Sequence, residues 1–228
     1  MSTIQFIGER MEAEATYVGE GPAPTSISST VTFSGVPFGA DEPGRVVGMV
    51  VFWSGASTSL FLVPGSTIGG QPAAIAVQTV VEGALSTGTY TGIIAAANVS
   101  GASGAVSLTF AGGVSTAELH VYNIVGLVFP TAEDTASASQ PANVSPSISV
   151  SLDVQEGGVV LHGVMGRNSG NPWTIVGVNE DFDELYFASD QIRKAGGHLN
   201  VSADQAGRTI TASSGIEASC ISVAASFR

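Results

Sequence analysis

Apolar and polar residues alternate with a period of two along several stretches of the chain. Ile148, Val150, Leu152 and Val154 are interleaved with Ser149, Ser151 and Asp153, which predicts a strand with one apolar and one polar face. Val106 to Phe110 and Ile221 to Phe227 carry the same alternation. The runs Arg45 to Trp53 and Val159 to Met165 are almost wholly apolar, the pattern of strands buried on both faces. Pro43-Gly44, Pro64-Gly65, Gly69-Gly70, Gly112-Gly113, Gly157-Gly158 and Gly196-Gly197 punctuate these runs as turns. Only Glu9–Ala15 and Asp190–Ala195 offer helical candidates, each of a turn or two. The pattern predicts an all-β chain.

The strand pattern also repeats. Ser26-Ile-Ser-Ser-Thr-Val-Thr-Phe33 is echoed by Ser147-Ile-Ser-Val-Ser-Leu152, and Gly44-Arg-Val-Val47 by Gly157-Gly-Val-Val160. Both then pass through an apolar run to Ser54-Gly55 or Ser169-Gly170. Gly104 to Phe110 matches Gly207 to Ala212, and each is followed by a glutamate, Glu118 or Glu217. Phe6-Ile-Gly8 and Ile124-Val-Gly126 each lead into a polar, proline-bearing stretch. These landmarks predict two pseudo-repeated units, residues 1–123 with an N-terminal arm and residues 124–228, of about seven strands each. In the second unit the strands centre on Ile148, Val160, Ile175, Tyr186, Leu199, Ile210 and Ile221. Short strands at this spacing predict an antiparallel β-sandwich of the jelly-roll or immunoglobulin-like kind. Two separate sandwiches and one interlocked sandwich both satisfy the pattern.

Composition narrows the function classes. Only 11% of the 228 residues are charged, against the usual quarter or so, and Lys194 is the only lysine. A hydrophobic share of 44%, spread along the chain, argues against disorder. The net charge of −12 opposes a nucleic-acid backbone as partner. The amino terminus lacks the basic and apolar regions of a secretory signal, and no apolar run reaches the roughly 18 residues of a membrane span. The expectation is therefore a chain made in the cytosol and soluble or assembled there, without membrane insertion.

Candidate chemistry is sparse. Cys220 lies in the last strand run and reads as a buried, inert thiol. His120 and His162 sit inside apolar runs and would be metal ligands only if both met in one core, while His198 lies near the Gly196-Gly197 turn. The densest charge is Glu180, Asp181, Asp183 and Glu184, oxygen donors suited to Ca²⁺ but without the spacing of an EF-hand loop. A solvated loop or a contact rim is the plainer reading of that cluster. Among the aromatics Trp53, Tyr90, Tyr122, Trp173 and Tyr186, Trp173 follows a loop signal and is the candidate for stacking on a sugar. Core packing is the competing role. No phosphate loop, nucleophile elbow or triad context is present, so the expectation is a non-enzyme without cofactor.

The order of features resembles repeat-built β-sandwich proteins among the virion structural proteins of tailed bacteriophages and prophages. It consists of Ser147-Ile-Ser-Val-Ser-Leu152, Gly157-Gly-Val-Val160, Trp173-Thr-Ile-Val-Gly177 and the strand Ile221 to Phe227. The first half departs from it, with Leu60-Phe-Leu-Val-Pro-Gly65 in place of the Trp-Thr segment. The resemblance implies a virion component of capsid-decoration, head-fibre, tail-tip or tail-fibre type and brings no catalytic or binding residues. It implies other virion proteins as partners. Strand edges with few charges to guard them, and the apolar run Ile124 to Phe129, add a homo-oligomer, with a trimer as the first expectation. The alternative is a carbohydrate-binding or host-receptor-binding module, with a host surface glycan as ligand. Residues 9–24 and 130–145 read as polar segments free for attachment, and Glu217 to Phe227 as a strand committed to the core.

Overall fold

The computed structural model describes residues 12–56, 59–81, 88–127, 129–141, 147–167, 170–187, 191–216 and 219–228. The first half of the chain contributes β1 (Glu14–Glu20), β2 (Thr30–Pro37), β3 (Val46–Gly55), β4 (Thr67–Ile68), β5 (Gln71–Pro72), β6 (Ala74–Val81), β7 (Gly88–Ala97), β8 (Ser103–Thr109) and β9 (Thr116–Val125). The second contributes β10 (Asp134–Gln140), β11 (Ser147–Val154), β12 (Val159–Arg167), β13 (Thr174–Val176), β14 (Asn179–Phe187), β15 (Ile192–Asn200), β16 (Gln205–Ser213) and β17 (Ser219–Phe227). The described residues contain no helix, and the fold is all-β.

Four antiparallel sheets form. Two have five strands, in the orders β1-β9-β3-β7-β6 and β10-β17-β12-β15-β14. The others are β2-β8-β4-β5 and β11-β16-β13. In both halves the first strand pairs with the last, and the last with the third, so the larger sheets follow one path.

Side-chain alternation explains why these sheets stack in four layers. Along β3, Val47, Met49, Val51 and Trp53 point toward the β2-β8-β4-β5 sheet and pack with Phe33, Val106 and Leu108. Its other face, with Val46, Val50 and Phe52, meets Leu161, Met165, Phe182, Ile221 and Val223 from the second large sheet. On that sheet's far side Val160, Val164 and Ala224 pack against Ile148, Val150, Leu152 and Ile210. A strand covered on both faces favours apolar and small residues along its length, and β3 and β17 are buried throughout. Each large apolar side chain among them, such as Val50 or Phe52, contributes roughly 1.5–3 kcal/mol by leaving water.

The middle seam joins the halves back to back. There β3 lies over β12, β6 over β10 and β17, and β1 over β15. Two glycines permit this approach. A Cβ on Gly48 would stand 2.8 Å from Leu161 Cδ1, and one on Gly163 would overlap Val50 Cγ1. At the seam's edge, Ala15 N donates to Asn200 Oδ1 at 2.8 Å, and Asn200 Nδ2 returns a bond to Ala15 O at 3.4 Å.

Several expectations need correction. The described parts of both helical candidates are extended: Glu14 and Ala15 open β1, and Ile192 to Ala195 open β15. Residues 9–11 and Asp190 lie outside the described residues, as do Phe6 to Gly8, Val128, Ser169 and Glu217. The ladder with β9 and the burial of Ala13 and Ala15 outweigh the weak helical preference of Glu9–Ala15. The described part of the 9–24 segment is thus not a free arm, because Glu14–Glu20 form β1, a member of the large sheet. The 130–145 connection likewise holds β10, paired with β17 along its length. The apolar run after Ile124 divides: Leu127 is buried in the seam and Phe129 is 66% exposed.

Candidate functional site

A cluster of polar side chains lies in the seam between the halves. On β9 the alternation that turns Leu119 and Val121 into the first core turns Glu118, His120 and Tyr122 toward the second half. Glu20, opposite His120 on β1, and Tyr17 come from the neighbouring strand. Lys194 on β15 and Phe182 and Glu184 on β14 face them.

Lys194 is fully buried, and its ammonium is surrounded by carboxylates. It donates to Glu20 Oε1 at 2.9 Å and to Glu118 Oε2, and lies 3.4 Å from Glu184 Oε2. Burial opposes the charge on Lys194, but Glu118 and Glu20 outweigh it and hold the pKa above the ordinary lysine value. Glu118 shows the opposite balance: burial raises its pKa despite the attraction of Lys194. Three glutamates against one lysine leave the cluster formally two charges negative.

His120 is packed face to face with Phe182, the ring centroids 3.5 Å apart and the planes within 4°. Its Nδ1 shares a 2.9 Å hydrogen bond with the Tyr17 hydroxyl. Its Nε2 is buried without a partner among the described residues. Burial, with the nearby Lys194 charge, pushes its pKa down to about 2, so the ring is neutral. Burial chiefly, with Glu184, Asp181 and Glu20 nearby, raises the Tyr17 pKa and keeps it a phenol.

The four acidic candidates sit on strand β14 and not on a loop, and they do not converge on one point. Asp181 bonds His198 Nδ1 at 2.8 Å. Asp183 takes Arg193 Nε at 2.5 Å and the backbone N–H of Trp173 at 3.0 Å. Glu184 turns to Lys194, and Glu180 is exposed. A strand sends successive side chains to opposite faces, so a dense acidic sequence there cannot cage one Ca²⁺.

Trp173 is only 3% exposed and packs with Ile148, Val164 and Ala212, its indole N–H donating to Arg193 O at 3.3 Å. No ring face is open to a sugar. His120 and His162 occupy different layers. His162 lies in the second half's core, its Nε2 2.9 Å from Ser222 Oγ, and burial lowers its pKa to about 3. Cys220 is fully buried, and burial pushes its thiol up to about 12.

Sequence reading missed Glu20, Tyr17 and the role of Lys194. The accessible signal was the polar i, i+2 series Glu118, His120 and Tyr122 on a strand whose other face is apolar, together with a lone lysine. No protein-family model matches this chain, and no curated protein matches it.

Proposed function

We propose that the chain is a non-enzymatic structural component of a tailed-phage virion, a rigid block that displays loops from strand ends. The observation that carries this reading is the continuous apolar packing through four sheets, from Phe33 through Phe52 and Leu161 to Ile148. Such a stack resists bending because every layer is held on at least one face by close-packed side chains. The resemblance of Gly157-Gly-Val-Val160 and Trp173-Thr-Ile-Val-Gly177 to virion sandwich proteins points the same way. The reading of the two halves as copies of one unit rests on their shared strand path and the sequence landmarks.

In this role the partners are other virion proteins and further copies of the chain. Exposed Phe129, Leu185, Val176 and Ile27 supply apolar contact points outside the cores. The carbohydrate reading loses its anchor, since Trp173 is enclosed. Mass spectrometry of particles purified from a lysate of the producing host tests the proposal. Recovery of the chain in stoichiometric amount with intact particles is expected; its absence from them overturns the reading.

A further inference from the structure

We propose that Glu20, His120 and Glu184 form a binding site for a divalent transition metal of the zinc class at the seam between the two halves. A ring nitrogen of His120 and carboxylate oxygens of Glu20 and Glu184 lie within 4.8 Å of one another. Tetrahedral Zn²⁺, with bonds of about 2.0–2.2 Å, sets its ligands roughly 3.4 Å apart. Closing that difference takes a small movement of two glutamates whose side chains are 44% and 42% exposed. The imidazole is held in place already. Stacking on Phe182 and the bond from Nδ1 to Tyr17 fix its plane, and buried Nε2 has no hydrogen-bond partner among the described residues.

Three further features support the assignment. Ligating histidines commonly anchor their other ring nitrogen on an oxygen, the place Tyr17 takes here. The cluster of Glu20, Glu118, Glu184 and Lys194 is formally two charges negative, which one divalent ion cancels. Glu118 keeps its own contact with Lys194, so the ammonium retains a partner when the other two carboxylates turn to the metal. One imidazole and two carboxylates favour zinc over calcium or magnesium, which take oxygen ligands alone. Three protein ligands leave a fourth position for water.

Isothermal titration of the tag-free full chain with ZnCl₂, together with the visible spectrum of the Co²⁺-loaded protein, tests the site. One zinc per chain and tetrahedral Co²⁺ bands are expected. The double variant E20Q/E184Q should bind at least tenfold more weakly, because both changes fall on partly exposed side chains and spare the buried ring. His198→Asn, which alters the neighbouring Asp181 pair, should bind within twofold of the parent. Far-UV circular dichroism confirms that each variant is folded. Absence of zinc binding, unchanged binding by the double variant, an equal loss in His198→Asn, or tighter binding of Ca²⁺ than of Zn²⁺ would each overturn the proposal.

Discussion

The ammonium of Lys194 on β15 lies 2.9 Å from Oε1 of Glu20 on β1, an ion pair that crosses from one half of the molecule to the other. The two ends differ in environment: the lysine side chain is 1% exposed and the glutamate 44%. Removing the buried end leaves Glu20, Glu118 and Glu184 clustered without compensation. Removing the exposed end leaves Lys194 two carboxylates. Lys194→Met is therefore expected to cost about 3 kcal/mol. Glu20→Gln should cost less than about 1 kcal/mol. Urea unfolding of both variants gives the comparison, and equal losses would contradict the described asymmetry.

Burial of His162 is expected to make the fold acid-sensitive. Its folded pKa of about 3 lies below the ordinary value of 6.5, so the unfolded chain takes up a proton that the folded chain refuses. The stability it secures is complete above pH 6.5 and is lost as pH falls from there toward 3. The slope is about 1.4 kcal/mol per pH unit for this one group. Chemical denaturation between pH 7 and pH 4 should show a shallower decline in His162→Gln than in the parent. Parallel curves would mean that His162 does not contribute.

Gly163 sets the spacing of the seam. A methyl group there would meet Val50, a fully buried side chain on the opposite strand. Gly163→Ala is expected to destabilise by about 1–3 kcal/mol through overpacking. Adding Val50→Ala should recover part of that loss, since the two sites share one contact. Thermal unfolding of the singles and the double closes the cycle, and strict additivity would argue against direct contact.

The two chain ends should respond differently to deletion. Residues 1–24 include edge strand β1, whereas residues 219–228 include β17, which lies between β10 and β12 inside its sheet. Loss of the last ten residues should abolish folding. Loss of the first 24 should leave a less stable, aggregation-prone protein with β9 as a new edge. Sedimentation and circular dichroism distinguish the outcomes.

Much of the fold was legible because strand patterns are local. The period of two in Ile148 to Val154 and the unbroken apolar run Val46 to Trp53 register burial residue by residue, and β11 and β3 carry those patterns. What escaped was set by distant partners. Polar β10 reads as a linker by itself, and only its ladder with β17 makes it a strand. Arg45 opens an apolar run and is wholly buried, because carbonyls of Ala40, Val99 and Gly101 from two loops receive its guanidinium. The site escaped for the same reason: Glu20, Glu118 and Lys194 lie far apart in sequence and meet only when the two large sheets stack.

The double hydrogen bond between Asn200 and Ala15 has a consequence for how the sheet ends. A peptide group on a strand edge is an invitation to another chain, because it offers a donor and an acceptor in the spacing a new strand would match. The carboxamide of Asn200 supplies that same acceptor and donor from within the molecule. At Ala15 it stands where the backbone of an incoming strand would have to be. The first large sheet is thus plugged by the second at this point, so a neighbouring copy that seeks to extend it must look elsewhere along its rim.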